Sequence, residues 1–172
     1  MKFGTVQTKY AAGDILAHSL VCGRDRFRKG KVLDEKDIRQ LIEFGYDEVV
    51  VARLEDNDTE ENLAAAKVAE NIHFLAEPEN FKKSIAFTGR VNIFASMTGI
   101  IVFDEENLIK ANSVDNMITI ATIPNYSQVT EGSIVATIKI ISYGVITYNL
   151  ETVASLATGT IRLKRPKYLS AH

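Results

Sequence analysis

VLDEKDIRQLIEFGYDEVVVARL, residues 32–54, changes its hydrophobic period midway, and that change decides the fold class. Asp34 is placed to accept from the free amides of a first helical turn, and Asp37 sits at the N-terminal end, where a carboxylate is favoured. Leu33 and Ile38 have the spacing of a hydrophobic staple. Ile38, Leu41 and Ile42 recur at helical spacing, Gly45 supplies the left-handed residue on which helices commonly end, and residues 48–54 follow as an aliphatic strand. A capped helix running straight into a buried strand, among other short strands, predicts an α+β protein with mixed short-stranded sheets and roughly three to five short helices.

A second stretch, VFDEENLIKANSVDNMITIATI at 102–123, echoes the first at an offset of 70 residues through the helix. Both start a helix on Asp-Glu, place an apolar residue four positions after that Asp (Ile38 and Leu108), and pass through an acidic turn into an aliphatic strand. The plain explanation is the generic likeness of strand-helix-strand units; the alternative is two related halves. Either way the spacing predicts a helix over 105–112 and a strand over 116–123.

Working outward, residues 2–7 read as a strand, and 11–21 as a turn and a second strand with Ile15, Ala17, Ser19 and Val21 on one face. GRDRFRKGKVL, 23–33, then carries Arg24, Arg26, Arg28, Lys29 and Lys31, with Lys29-Gly30 as the tight turn of a basic hairpin. A helix is expected over about 59–71, where Asp58 and Glu61 have capping-box spacing and Ala64, Ala65, Val68 and Ile72 mark the inward side. Residues 73–86, with Pro78, read as an irregular connection containing a short strand at 73–76. The organisation expected is therefore an N-terminal subdomain, 1–76, with the basic hairpin and two helices; a second subdomain, 77–160; and a linker or tail, 161–172. In the second subdomain SIVATIKII, 133–141, is a strand with Ile134, Ala136, Ile138 and Ile140 on one side and Lys139 on the other. Asn149 is placed to cap a helix over 150–157 that stops at Gly159, and the basic, proline-broken TIRLKRPKYLSAH follows.

Composition limits the function. The 172 residues are 46% hydrophobic and 24% charged, which is globular usage. Acidic and basic residues nearly balance, 22 against 20, so no whole-molecule field draws the chain to nucleic acid or a membrane surface, and an anion site must be local. The single cysteine, Cys22, excludes an internal disulfide, and no clustered Cys and His offer a structural zinc site. MKFGTVQTKY lacks the apolar core of a signal peptide, and the longest apolar runs fall short of a membrane span; the expectation is a soluble cytoplasmic protein.

Catalytic patterns are sparse. His18 and Ser19 are strand neighbours that point to opposite faces, a poor nucleophilic dyad. Neither GxGxxG nor GxxxxGK[ST] occurs. FTGRVN, 87–92, is the remaining phosphate candidate: Thr88 as cap of a helix running to residue 97 would leave the amides of Gly89 and Arg90 at its positive pole, with the Arg90 guanidinium as a planar fork of donors. An ordinary helix cap explains the same string. The hairpin cations are read either as an anion site or as a solvated guard on a strand edge. Asp104, Glu105 and Glu106 at a helix start have a capping explanation.

GDILAHSL, FRKGKVL, VVVARLE, FTGRVNIFA, the block VDNMITIATIPNYSQVTEGSIVATIKII and a final Tyr-Gly-Val, in that order over residues 1–145, resemble the N-terminal domain of bacterial molybdopterin-binding proteins of molybdenum cofactor metabolism. In that family the region precedes a MogA/MoaB-type domain, often followed by a cytidylyltransferase domain. The GTGG-like motif of the former and the nucleotide loop of the latter are not in this sequence, so adenylylation and cytidylylation do not carry over. The resemblance implies the isolated leading domain, or a piece ending in a linker. It also implies a non-catalytic role beside molybdopterin, whose terminal phosphate needs cations, with no metal bound directly. A MogA/MoaB-type domain, in the parent chain or in trans, is the expected partner. Arg28, Lys29, Thr88, Gly89, Arg90 and Lys139 are the residues best suited to that phosphate. The competing expectation is a structural or oligomerisation domain without ligand.

Overall fold

The structure, a computed structural model, describes residues 1–72 and 78–165, and the chain is a mixed α+β protein that divides into two compact units, Met1–Asp58 and Thr59–His172. The division lies well before the connection at 73–86 where sequence analysis sets the boundary, so the second helix belongs to the second unit. The strand expected at 73–76 lies outside the described residues.

In the first unit β1 (Lys2–Gln7), β2 (Ile15–Leu16), β3 (Leu20–Cys22), β4 (Asp25–Phe27), α1 (Glu35–Glu43) and β5 (Glu48–Arg53) follow in order. β5 is central, antiparallel to β1 on one side and β2 on the other. Its Val49 and Val51 are buried with Leu16, Leu33, Ile38 and Leu41, which closes α1 over the sheet. The helix starts where its cap residues dictate: Asp34 accepts from the Asp37 amide at 2.8 Å, and Asp37 accepts from the Asp34 amide at 3.0 Å. Gly45, at φ 85°, ends it. Ile42, expected on the inward stripe, is exposed instead.

The 11–21 segment departs from expectation. Rather than one strand it gives β2, a bend, and β3, and the hairpin turns at Gly23-Arg24 instead of Lys29-Gly30. Gly23 carries the positive φ, 63°, that a two-residue turn demands. Lys29-Gly30 forms a separate turn, which brings the chain back alongside Leu16 through Gly30 N–H to Leu16 O at 2.7 Å.

The second unit contains β6 (Asp58–Glu60), whose first residue closes the first unit, α2 (Glu61–Ile72), β7 (Phe81–Lys83), β8 (Arg90–Ala95), β9 (Gly99–Phe103), α3 (Glu105–Asn112), β10 (Ile118–Thr122), β11 (Gln128–Val129), β12 (Ile134–Ile140), β13 (Gly144–Ile146), α4 (Thr147–Ala157) and β14 (Ile161–Lys164). Its main sheet has the order β10-β12-β8-β7, all antiparallel, with β11-β9-β14 and β13-β6 as smaller sheets. Ala64, Ala65, Val68 and Ile72 of α2 are wholly buried, as their spacing predicts. The expected capping box is not formed: Asp58 holds the N-terminal amine at 2.6 Å, and Glu60 accepts from the amides of Asn62 and Leu63.

Four further expectations are corrected here. The helix proposed from Thr88 to residue 97 is strand β8: Val91, Ile93 and Ala95 alternate into the core, a period of two that a helix cannot bury. β12 carries a bulge between Ile134 and Ala136, so Ile134 is 48% exposed while Val135 is fully buried. Asn149 lies inside α4 and donates to Asp115 rather than capping. The supposed linker begins with β14, whose Ile161 and Leu163 are buried against β9. The sequence echo survives only locally. Asp104 caps α3 through the Asn107 amide, yet β9 before it is a full strand between two others, whereas only an isolated Val32–Ile15 bridge precedes α1.

Candidate anion-binding site

β8 and β12 run antiparallel with Val91, Ile93, Ile138 and Ile140 turned into the core, so the intervening residues form the outward face. On it Arg90 stands directly opposite Lys139, and Lys139 directly opposite Thr119 of β10. Both cations are exposed, and among the described residues neither has a carboxylate within ion-pair distance. The next pair along, Thr137 and Asn92, is closed by a hydroxyl-to-amide hydrogen bond of 2.9 Å.

The turn before β8 fixes this register. Thr88 at φ 46° and Gly89 at φ 67° are both left-handed, the pattern of a type I′ turn, and Phe87 and Arg90 exchange backbone hydrogen bonds at 3.1 Å across it. The Ile140 amide donates to Gly89 O at 2.7 Å, which carries the β12 contact one residue past the Arg90–Lys139 pair. Gly89 is packed so closely that a Cβ there would lie 2.8 Å from Ile140 O and 2.9 Å from Glu61 Oε2.

The same geometry removes the helix-terminus argument for Thr88 and Gly89. The Gly89 amide donates to Asn62 Oδ1 at 3.0 Å, the Arg90 amide to Phe87 O, and a carboxylate, Glu61, lies at the turn. These amides are engaged within the fold, leaving the two side chains, Arg90 and Lys139, as the donors for an anion. Nearby, burial and then the Glu61 charge push the Tyr143 phenol above its usual range, so it stays a neutral hydroxyl.

Arg28 and Lys29 lie in the first unit, exposed beside the Lys29-Gly30 turn. Lys29 is tied through its backbone amide to Ser19 Oγ, leaving its ammonium without an ion-pair partner among the described residues. Lys31 is ion-paired with Asp37 and is spent on α1. Sequence reasoning missed Thr119, Asn92 and Thr137 as neighbours of the cations. The alternation in RVNIFA was the available signal for β8, but only cross-strand register places the neighbours.

Among the described residues no catalytic arrangement stands out. His18 and Ser19 are both exposed, and burial, then Asp25, raises the Cys22 thiol, which disfavours the reactive thiolate. Among the described residues no three His, Cys, Asp or Glu gather where they would hold a metal, and no helix is long and apolar enough to cross a membrane.

The architecture defines a small two-unit α+β protein with an outward-facing cation pair. Residues 5–53 match the model of a family described as Domain of unknown function (DUF8806), a stretch that runs from β1 to the end of β5 within the first unit. No curated protein matches the chain, and no solved structure does.

Proposed function

We propose that the chain is a non-catalytic module of molybdenum cofactor metabolism, of the kind that leads molybdopterin-binding proteins, and that it helps hold the cofactor by its terminal phosphate. Resemblance supplies the ligand. The observation that carries the reading is Arg90 directly opposite Lys139, exposed and, among the described residues, without a carboxylate partner. Like charges directly opposite one another on an antiparallel pair are destabilising. A phosphate placed between them turns repulsion into two charge-assisted contacts, one of them a guanidinium fork. In this reading a MogA/MoaB-type domain, in the same parent chain or in trans, completes the cofactor site in the cytoplasm.

Calorimetric titration of the chain with molybdopterin at two salt concentrations tests it. The expected result is saturable heat that shrinks at higher salt and is lost in Arg90→Gln and Lys139→Gln. Absence of both heat and thermal stabilisation in the native chain contradicts the reading.

A second reading, an oligomerisation surface without ligand, draws on Ile85 and Phe87, 92% and 73% exposed in the segment leading into the turn. Sedimentation showing a dimer that Phe87→Ser dissociates would favour it.

A further inference from the structure

We infer that the β3–β4 ribbon of the first unit is a docking edge for an extended acidic segment of a partner protein, added as a strand beside β4. The two strands form a sheet of their own, with Val21 opposite Arg26 between the pairs Leu20–Phe27 and Cys22–Asp25. Cys22 and Phe27 are buried in the core, and Asp25 turns to α1, where it accepts from Gln40 at 2.9 Å. Strand alternation therefore puts Arg26 on the other face, beside a Val21 that is 60% exposed. Arg24 and Arg28 lie exposed at its two ends. Among the described residues none of the three arginines has an ion-pair partner, and Asp25, Asp34 and Asp37 are engaged elsewhere, with Gln40, the Asp37 amide and Lys31.

The backbone points the same way. Across a two-residue turn the flanking residues form the hydrogen-bonded pair, and the next pair, Val21 and Arg26, directs its amides and carbonyls outward. Val21 confirms this geometry, since its carbonyl accepts from Tyr46 Oη at 3.0 Å. The matching groups of Arg26 face the free edge of β4. That edge thus presents the main-chain donor and acceptor of Arg26, with Arg24 in the adjoining turn and Arg28 just past the strand as further exposed cations on alternate residues. An extended peptide with carboxylates on alternate residues complements both features. Nucleic acid would supply the charge, but the ribbon's aromatic, Phe27, is buried, so the outer face offers no stacking platform for bases. The inference does not depend on the cofactor reading, because Arg90 and Lys139 belong to the other unit.

Fluorescence anisotropy on the full chain tests it with three labelled probes: a peptide of alternating Glu and Thr, a peptide of the same composition with its Glu in one block, and an oligouridylate of equal charge. The alternating peptide is expected to bind about tenfold tighter than the block peptide and to weaken as salt rises from about 0.05 to 0.3 M. The double variant Arg24→Gln, Arg28→Gln should lose about tenfold in affinity with its thermal stability unchanged. Removing the same charge from β14, by Arg162→Gln with Lys164→Gln, should change nothing, and Arg90→Gln and Lys139→Gln should likewise leave peptide binding unchanged. Failure of the alternating peptide to bind, equal binding of the block peptide, tighter binding of the RNA, or indifference to the ribbon variant would each overturn the inference.

Discussion

The two units each contain a hairpin turned on left-handed residues, and the two turns are used in opposite ways. At Gly23-Arg24 only the glycine has positive φ, and a Cβ on it would meet nothing stiffer than the edge of the Phe44 ring, at 3.1 Å. At Thr88-Gly89 both residues are left-handed, and the turn is bolted from three sides, by Asn62, by Ile140 and by the close approach of Glu61. The first is an arm, anchored at Cys22 and Phe27 but loosely packed at its tip, that presents cations. The second is a strut that sets register, and through register it places Arg90 against Lys139. A turn's chemistry alone therefore does not say whether its neighbours are presented or positioned; the contacts around the turn do.

Substitutions can break or sharpen this contrast. The largest effect is expected for Gly89→Ala, which combines a left-handed alanine with a Cβ driven into a backbone carbonyl; urea unfolding should show a loss of about 2–4 kcal/mol. Asn62→Ala leaves the Gly89 amide without its acceptor in a partly buried place, and a loss of about 1–2 kcal/mol is expected by the same measurement. Gly23→Ala should cost about 1 kcal/mol, the backbone strain with little steric addition, because the Phe44 ring can swing aside. Thr88→Asn runs the other way. Asparagine tolerates the left-handed region that a β-branched residue resists, and Asn-Gly is the preferred type I′ pair, so a gain of about 0.5–1 kcal/mol is expected. If Gly23→Ala proved as costly as Gly89→Ala, the distinction between arm and strut would fail.

How much of this was legible in the sequence follows from how local each signal is. The α1–β5 unit could be read, apart from the outward Ile42, because its cap, its staple and its terminating glycine all lie within a few residues of the helix they control. β8 was misread because Thr-Gly-Arg looks like a helix cap, and a positive φ at threonine is not something side-chain chemistry advertises. The inward side of β12 was read correctly from Ala136 onward, yet no pattern within the strand announces the bulge that turns Ile134 out. β14 was missed since its Ile161 and Leu163 gain their burial from β9, some sixty residues away in the chain. The candidate site was legible as cations but not as a pair, because Arg90 and Lys139 meet only through the register of two strands far apart in sequence.

Thermal unfolding of the native chain and of Lys139→Gln, in low-salt buffer with and without pyrophosphate, tests the role of the cation pair most directly. If Arg90 and Lys139 are held together to receive an anion, the variant is at least as stable as the native chain when no anion is present, and pyrophosphate raises only the native melting temperature. A variant that melts lower without pyrophosphate, and gains as much from it as the native chain does, would contradict that role.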